Sequence, residues 1–550
     1  MNVLVLGGYG VFGERLARLL TRDGHQVTVA GRDLRAAERL GRDINCSALQ
    51  IDRTGDLSAI AGFDVVVDAA GPFHTAGDDA WRVARAAIAA GAHYLDLSDN
   101  AAFCAGVGAL DGAARAAGVC VLSGLSSVPA ISSAAARALA GADPARMIDT
   151  AILPGNRAPR GLSVMQSILA QAGRPMMVWR GRQWMQVRGW SDPAVYELPG
   201  GLRRRAWRIE VPDTRLFPQW SGADSVSFRA GMELGLLNNG LAAFAWMQRG
   251  LRLPVSPGLT RVFRRVADML ASQGTDSGGM LVAVIAGGER RVWALLAGEG
   301  EGPFIPAVPV RALLRRQTLP VGAQAAVGVL GLDEIEAAMA DLAVRTERSA
   351  TPRRPLFARG AIADFDHLPD EIRRTHDTVD CSRWQGRAQV TRGGTLWSRL
   401  IAAAFRLPPA NADTPVTVTK LAVGRGETWV RTFGRRRFRS HLAVTPSGDA
   451  GVHPVMTERF GPFTFLLGLH VSDGALHFPV RGARMGLLPM PRWLLPRSKA
   501  REYVQDGHFC FDVALFAPLT GRLIVRYRGW LEPAPSGDAS PSGSAGASAA

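Results

Sequence analysis

The sequence predicts an α/β fold, a doubly wound parallel sheet, followed by an inserted α+β domain and a β-rich C-terminal domain. Three observations carry this prediction. Residues 2–6 form an apolar run that leads into closely spaced glycines and then a helical stretch. Apolar runs and helical patterns alternate from there to residue 140, which is the rhythm of βαβ units. Beyond residue 355 the pattern changes to short strands recurring roughly every ten residues, with turn signals at Ser447-Gly448-Asp449 and Asp473-Gly474.

Strands are predicted at 2–6, 26–30, 47–51, 64–69, 93–97 and 119–123. Helices are predicted at 12–22, 33–42, 79–90, 99–117 and 130–140. The first turn reads Gly7-Gly8-Tyr9-Gly10-Val11-Phe12-Gly13, and Gly8, Gly10 and Gly13 have the G-x-G-x-x-G spacing of a Rossmann-type dinucleotide-binding loop. Gly8 is read as the tight turn, Gly10 as the place where a pyrophosphate approaches the backbone, and Gly13 as the close contact of helix and strand. Tyr9, Val11 and Phe12 complete the loop, and the phosphates would meet free N–H groups at the positive end of the helix dipole.

The second strand ends in Gly31-Arg32-Asp33. An acidic residue here serves a ribose 2′-hydroxyl, whereas an arginine accommodates a 2′-phosphate through paired hydrogen bonds. Arg32 therefore favours NADP over NAD, although Asp33 is also within reach of a ribose.

Ligands of doubly wound sheets sit beyond the carboxyl ends of the strands, which selects the later strand ends. Ala70, Gly71 and Pro72 follow the fourth strand and are read as lying beneath the cofactor. Tyr94 and Asp96 share one face of the fifth strand and are the candidates for a proton donor or a substrate-orienting group; a purely structural hydrogen bond for Asp96 stands beside this. Asp99 reads as a helix cap. Ser126 and Ser127, after the sixth strand, are either donors to a carboxamide or carboxylate, or plain caps.

Composition excludes several classes. Hydrophobic content of 47% and charge of 20% are those of an ordinary globular chain. No uncharged apolar run reaches spanning length, because Glu233 and Asn238-Asn239 interrupt the best one, Gly231 to Met247. Met1-Asn2 leads straight into a core strand, so no signal peptide and a cytoplasmic location are expected. Five scattered cysteines without C-x-x-C, and histidines without H-x-x-x-H spacing, predict reduced thiols and no metal site. Only Lys420 and Lys499 are lysines; all other basic residues are arginine, which reads as coding bias rather than selection for nucleic acid. With no lysine before residue 420, an N-terminal lysine base, Schiff base or Tyr/Lys reductase pair is excluded. The net charge of +16 is concentrated in the C-terminal third, and Arg435-Arg436-Arg437 is read as a phosphate or acidic-lipid contact or as a solvated strand edge. No nucleic-acid module accompanies it, so no specific nucleic acid is expected.

The expected domains are 1–145, the dinucleotide-binding domain; 146–345, an α+β substrate or dimerisation domain; 355–532, the β-rich domain; and 533–550, a disordered tail. A helix at 333–344 is read as returning to the first domain, and 346–354 as a linker. In the second domain a strand is expected at 147–153, helices at 162–172, 233–248 and 259–272, and hairpins at 176–187 and 279–296, the latter turning at Gly287-Gly288. The stripe Met176, Met177, Trp179, Trp184, Met185 and Trp190 reads as core or interface, with a bulky apolar substrate as the functional alternative.

The series Gly7–Gly13, Ala30-Gly31-Arg32, Ala69-Ala70-Gly71-Pro72-Phe73, His93-Tyr94-Leu95-Asp96 and Ser123-Gly124…Ser126-Ser127-Val128-Pro129 resembles the saccharopine dehydrogenase-like NADP-binding domain over residues 1–140. Residues 299–332 resemble the end of that family's substrate domain. The resemblance implies nicotinamide-dependent reduction of a C=O or C=N bond, yet the residues that grip amino-acid substrates find no match here. Leu495-Pro496-Arg497, Asp506-Gly507-His508-Phe509, Asp512-Val513 and the segment from Pro518 to Trp530 resemble a domain of unknown function fused behind such domains in bacteria.

The expected function is thus an NADP-dependent oxidoreductase acting on a small or apolar substrate, with a homodimer as a candidate assembly. The alternative is a noncatalytic NADP-binding scaffold whose basic C-terminal domain recruits a partner or a peripheral membrane face.

Overall fold

The computed structural model describes residues 1–73, 79–159, 162–251, 257–359, 364–445 and 455–537. The chain divides into two compact units, Met1–Trp179 with Trp184–Thr351, and Arg180–Gln183 with the described residues from Pro352 onward.

The first unit begins as alternation dictates. Its N-terminal elements are β1 (Asn2–Leu6), α1 (Val11–Arg22), β2 (Gln26–Gly31), α2 (Leu34–Ile44), β3 (Ser47–Gln50), β4 (Val65–Asp68) and α3 (Arg82–Ala89). Then come β5 (His93–Asp96), α4 (Ala101–Gly106), α5 (Asp111–Ala117), β6 (Cys120–Ser123) and α6 (Ser132–Ala140). The helix predicted at 99–117 is broken into α4, a 3-10 turn at 107–110 and α5.

The middle of the unit contains β7 (Met147–Leu153), α7 (Leu162–Gln171), β8 (Pro175–Trp179), β9 (Trp184–Arg188), β10 (Ala194–Leu198), β11 (Leu202–Arg208) and α8 (Pro212–Ser221). It continues through β12 (Ser225–Ala230), α9 (Gly235–Leu251), α10 (Pro257–Met269), β13 (Gly278–Ala286) and β14 (Glu289–Ala297). The last elements are α11 (Val308–Leu314), β15 (Gly322–Ala325), α12 (Leu332–Ala338) and β16 (Val344–Pro352).

The first sheet has the order β15-β6-β5-β4-β1-β2-β3, and its strand pairs are parallel. Its edge strand β15 comes from residues 322–325, which sequence reading assigned to the second domain. The second sheet is mixed, in the order β10-β11-β12-β7-β13-β14-β16. Residues 346–354, read as a linker, fall largely within β16, the edge of this sheet. Almost every side chain of β16 is exposed, so no alternation of apolar and polar residues marks it as a strand. The helix expected at 333–344 ends at Ala338.

The two sheets share one core. Val3, Val5, Leu16 and Val67 belong to the same buried cluster as Val226, Met280, Val282 and Trp293. Helix α6 lies at the junction, packed on β13 and β14, and Arg291 of β14 donates to the carbonyls of Leu139 and Ala140 at its C-terminus (3.1 and 3.0 Å), where a cation suits the helix dipole. The 145/146 boundary therefore does not separate independent cores.

The second unit contains α13 (Leu356–Arg359), α14 (Asp370–His376), α15 (Leu396–Ala404) and an antiparallel sheet. Its strands are β17 (Cys381–Arg392), β18 (Asn411–Val423), β19 (Gly426–Phe433), β20 (Arg436–Val444), β21 (Met456–Phe460) and β22 (Phe463–Leu467). They continue as β23 (His470–Ser472), β24 (Ala475–His477), β25 (Val480–Met485), β26 (Leu488–Pro489), β27 (Arg497–Gln505), β28 (His508–Phe516) and β29 (Leu523–Pro533). The thirteen strands follow the order β23-β24-β27-β28-β29-β17-β18-β19-β20-β21-β22-β25-β26. The turn predicted at Asp473-Gly474 joins β23 to β24 with both residues left-handed (φ 51° and 68°). The turn at 447–449 and the tail from 538 lie outside the described residues. No helix among the described residues is long and apolar enough to cross a membrane.

Arg311 of α11 is nearly buried and is held by Asp23 at the end of α1 (2.7 Å), by Asp341 (2.5 Å) and by the Ala338 carbonyl (2.9 Å). It ties the end of the first helix to the segment after α12, and removing it leaves Asp23 with only the more exposed Arg315 (3.0 Å) and Asp341 with only the distant Arg22 (3.9 Å). Arg311→Met is expected to cost about 3 kcal/mol, read as a fall in the urea midpoint of the full-length protein; an unchanged midpoint would show that the tie carries no stability.

Candidate functional site

The loops at the carboxyl edge of the first sheet are built around Gly7. Gly7 is left-handed (φ 70°), and its N–H and that of Gly8 both donate to the Ala30 carbonyl at the end of β2. The tight turn assigned to Gly8 thus belongs to Gly7. Gly8 is needed for a different reason: a Cβ there would stand 2.9 Å from both the Val29 side chain and the Val5 carbonyl. Gly13 holds the helix against the turn, since its Cβ would lie 2.2 Å from the Gly7 oxygen. At Gly10 a Cβ would meet only the Gly7 oxygen, at 3.1 Å, and otherwise open space.

Helix α1 starts directly behind this space. No side chain caps its N-terminus, whose residue is Gly10. The first-turn N–H groups of Val11, Phe12 and Gly13 have no intrahelical acceptor and carry the positive end of the dipole. An open cradle at Gly10 in front of an uncapped helix end fits a pyrophosphate.

At the end of β2, Arg32 is exposed and forms no ion pair among the described residues. Asp33, read as a second ribose contact, is instead the cap of α2: its carboxylate accepts from the Ala36 N–H at 3.1 Å. Its own N–H donates to the Tyr9 hydroxyl (3.1 Å), and the Tyr9 ring covers Gly31 so closely that a Cβ there would be 2.4 Å from it. Tyr9 therefore braces the β2 end, and Arg32 stands there exposed, without an ion pair among the described residues.

The Ala69–Pro72 loop lies against the same turn, with Ala70 Cα 2.8 Å from where a Gly7 Cβ would be. Buried Asp68 accepts from the Ala70 N–H (2.9 Å), and Arg53 pairs with Asp68 (3.0 Å) while donating to the Ala70 carbonyl (2.7 Å). Arg53 also lies over the Phe73 ring, 5.4 Å from its centroid. Burial pushes the Asp68 carboxyl up, against the pull of Arg53. Arg53 was not legible in the sequence because it sits in an irregular segment without periodicity. Gly71 and Pro72 complete the loop beside Phe73.

Tyr94, expected as a proton donor, is in the core. It is 1% exposed among Leu4, Leu6, Val66 and Val121, and burial raises its hydroxyl well above the ordinary range. Asp96 is fully buried, and its Oδ1 accepts from the Ser98 N–H (2.9 Å), the Ser123 hydroxyl (3.0 Å) and the Gly124 N–H (2.8 Å). The Asp96 carbonyl accepts from the Leu125 N–H at 2.8 Å. Asp96 thus fixes the loop that carries Ser126 and Ser127, both nearly buried. Asp99 does not cap α4; that position is Asn100, which accepts from the Phe103 N–H at 2.9 Å.

A cavity of about 600 Å³ lies in the same unit. Its wall includes Phe12 from α1 and Ser127 from the loop after β6, so it reaches the dinucleotide loops. The rest is predominantly apolar, from α7 (Met165, Ile168, Leu169), α9 (Leu237, Leu241) and α10 (Phe263, Ala267), over Met280 and Leu295 of the second sheet. Glu233 at its edge is engaged with the N–H groups of Asn156 (2.7 Å) and Thr275 (2.9 Å) and with Arg204 (3.1 Å). The Trp/Met stripe contributes nothing to this wall. Trp179 and Trp184 face each other across the β8–β9 hairpin, and Trp190 stacks on Trp207 in a separate small core.

Residues 3–122 match the Saccharopine dehydrogenase NADP binding domain, and residues 368–531 match a domain of unknown function, DUF4166. The chain therefore joins an N-terminal NAD(P)-binding domain of the saccharopine dehydrogenase type to a C-terminal DUF4166 domain. Apo saccharopine dehydrogenase (L-Glu forming) from Saccharomyces cerevisiae is 14% identical, with 63% of this chain and 99% of that chain covered and a TM-score of 0.42. UDP-glucose-4-epimerase from Stenotrophomonas maltophila, solved with NAD bound, is 24% identical over 20% of this chain and 39% of its own, with a TM-score of 0.16. No curated protein matches the chain.

Two measurements test the site. Arg32→Ala is expected to weaken NADPH binding roughly tenfold or more, the loss of one charge-assisted phosphate contact, with NADH binding nearly unchanged; an equal loss for both cofactors in titration calorimetry contradicts this role. Burial raises the Asp96 carboxyl to about 7, so the native state holds a proton that the unfolded chain has already released. Its contribution is complete at low pH and declines as pH rises from the ordinary carboxylate range toward 7, by up to about 1.4 kcal/mol per pH unit. Relative to wild type, Asp96→Asn should therefore gain stability as pH increases across this window, and a constant difference in melting temperature would refute the assignment.

Proposed function

We propose that the protein is an NADP-dependent oxidoreductase that reduces a C=O or C=N bond in a bulky apolar substrate. The observation that carries this reading is the apolar cavity whose wall includes Phe12 and Ser127. A space of this size beside the dinucleotide loops suits a substrate held chiefly by apolar contact, and the family match supports the cofactor class.

Gly10 and the α1 N-terminus would hold the pyrophosphate, and Arg32 would hold the 2′-phosphate in a paired contact. When bound, the nicotinamide would supply the hydride. Loop 69–72, clamped by Arg53, would border the cofactor, and its small residues permit close approach. Asp96 is a positioning residue that fixes the loop bearing Ser127. The wall from α7, α9 and α10 excludes water and aligns the reacting carbon by shape, which is where the chain's contribution to rate lies.

NADPH oxidation should therefore be stimulated by long-chain or aryl aldehydes and ketones, and far less by amino-acid-derived carbonyls. Ala267→Phe, which fills the cavity at a nearly buried position, should abolish that stimulation and leave NADPH affinity intact. No substrate-dependent oxidation by the wild-type protein across such a panel would instead favour a noncatalytic NADP-binding scaffold.

A further inference from the structure

The C-terminal unit has a cavity of its own, about 190 Å³, on the inner face of its sheet. Strands well apart in the sheet order, β21 and β22 on one side and β27 and β28 on the other, line the same space, so the sheet curls to face itself. The wall is dominated by Phe433, Phe438, Phe460, Phe465 and Phe511, as strand alternation requires for an inward face.

Among the charged residues that line the cavity, Lys420 is the most deeply buried. Val416, Val418 and Lys420 follow each other along the inner face of β18, and Lys420 is 1% exposed. Its Nζ donates to the Thr375 carbonyl at the C-terminal end of α14 (2.6 Å) and lies 3.9 Å from the Trp429 ring centroid. No carboxylate among the described residues lies within ion-pair distance of it. The nearby acids are otherwise engaged: Glu502 with His376 (2.5 Å), Glu427 with the Trp429 indole N–H (2.8 Å), and Glu458 with Arg431 (3.0 Å). Arg431 is thus paired directly, whereas Lys420 touches a carbonyl, a ring face and the cavity, with Glu502 and Glu427 acting on it only at longer range.

Burying an ammonium without a counter-ion is costly, and burial accordingly lowers Lys420 to about 8. Its presence is more notable in a chain whose basic residues are otherwise arginine except Lys499. The cavity lining carries Lys420, Arg431 and Arg501 against Glu458 and Glu502, an excess of one positive charge. A single anionic group at the end of an apolar body would supply the missing counter-ion and fill the remaining space.

We propose that the C-terminal domain binds a monoanionic amphiphile, a carboxylate on an alkyl or aryl chain, with its head group paired to Lys420 and its tail among the phenylalanines of the curled sheet. The site is independent of the reductase reading.

The test uses the full-length protein and decanoate. With only two lysines, lysine-labelled protein gives two side-chain NMR signals, assigned by Lys499→Arg. Decanoate should shift the Lys420 signal saturably and leave Lys499 in place, with decanol and decylamine producing much smaller effects. Lys420→Met should lower decanoate affinity at least tenfold by calorimetry, and Val418→Trp, which fills the cavity without touching the charge, should remove binding as well. A Lys420 signal that does not move at millimolar decanoate, or decanoate affinity unchanged in both variants, overturns the proposal. The NMR readout on the unaltered lysine holds even where a substitution impairs folding.

Discussion

The carbonyl oxygen of Gly7 is the point around which the N-terminal domain is assembled. It accepts from the Gly10 N–H at 2.9 Å, and the start of α1 is packed so near that a Gly13 Cβ would be 2.2 Å away. That approach aims the uncapped helix end at the open space beside Gly10. On the other side of Gly7, Ala70 closes in to a distance that any side chain would block. Turn, helix and the β4 loop are therefore located by one oxygen and the missing Cβ atoms around it. The residues beyond this centre act at one remove: Tyr9 braces the end of β2, Arg53 clamps the β4 loop, and Asp96 holds the β6 loop.

Much of this plan was legible from residue patterns, for definite reasons. The parallel strands are buried on both faces and read as continuous apolar runs, as β1 and β4 do. Spacing located the glycine loop but not the division of labour within it, because four glycines in seven residues leave open which one is left-handed. Alternation placed Tyr94 and Asp96 on one face correctly, yet it carries no information on what covers that face. Asp33 looked like a ligand because its neighbour is Arg32; its role as a cap depends on where α2 begins. Edge strands were the least visible. β16 buries almost nothing, and β15 is four small or polar residues with no apolar run to announce it.

The two cavities are made in different ways. The larger is an interval between three helices and a sheet, predominantly apolar and with its carboxylate Glu233 already engaged by Asn156, Thr275 and Arg204, so its selectivity is mainly one of shape. The smaller is interior to a curled sheet and contains a charge that its own walls do not balance. Apolar periodicity describes the walls of both and the contents of neither. In each, the informative residues come from outside the apolar pattern: Ser127 of the β6 loop and Phe12 of α1 in one, a lysine in a row of valines in the other.

The edge strand β15 has a consequence for the life of the chain on the ribosome. The dinucleotide-binding sheet is encoded almost entirely before residue 124, yet β6 has no neighbour on its outer side until residues 322–325 have emerged. Throughout synthesis of the middle region, a row of backbone donors and acceptors stands open on a hydrophobic strand, the kind of edge that recruits foreign strands. Discontinuous connectivity thus delays completion of the oldest-made sheet until most of the unit has emerged, and couples the quality of the cofactor platform to the successful folding of everything translated in between.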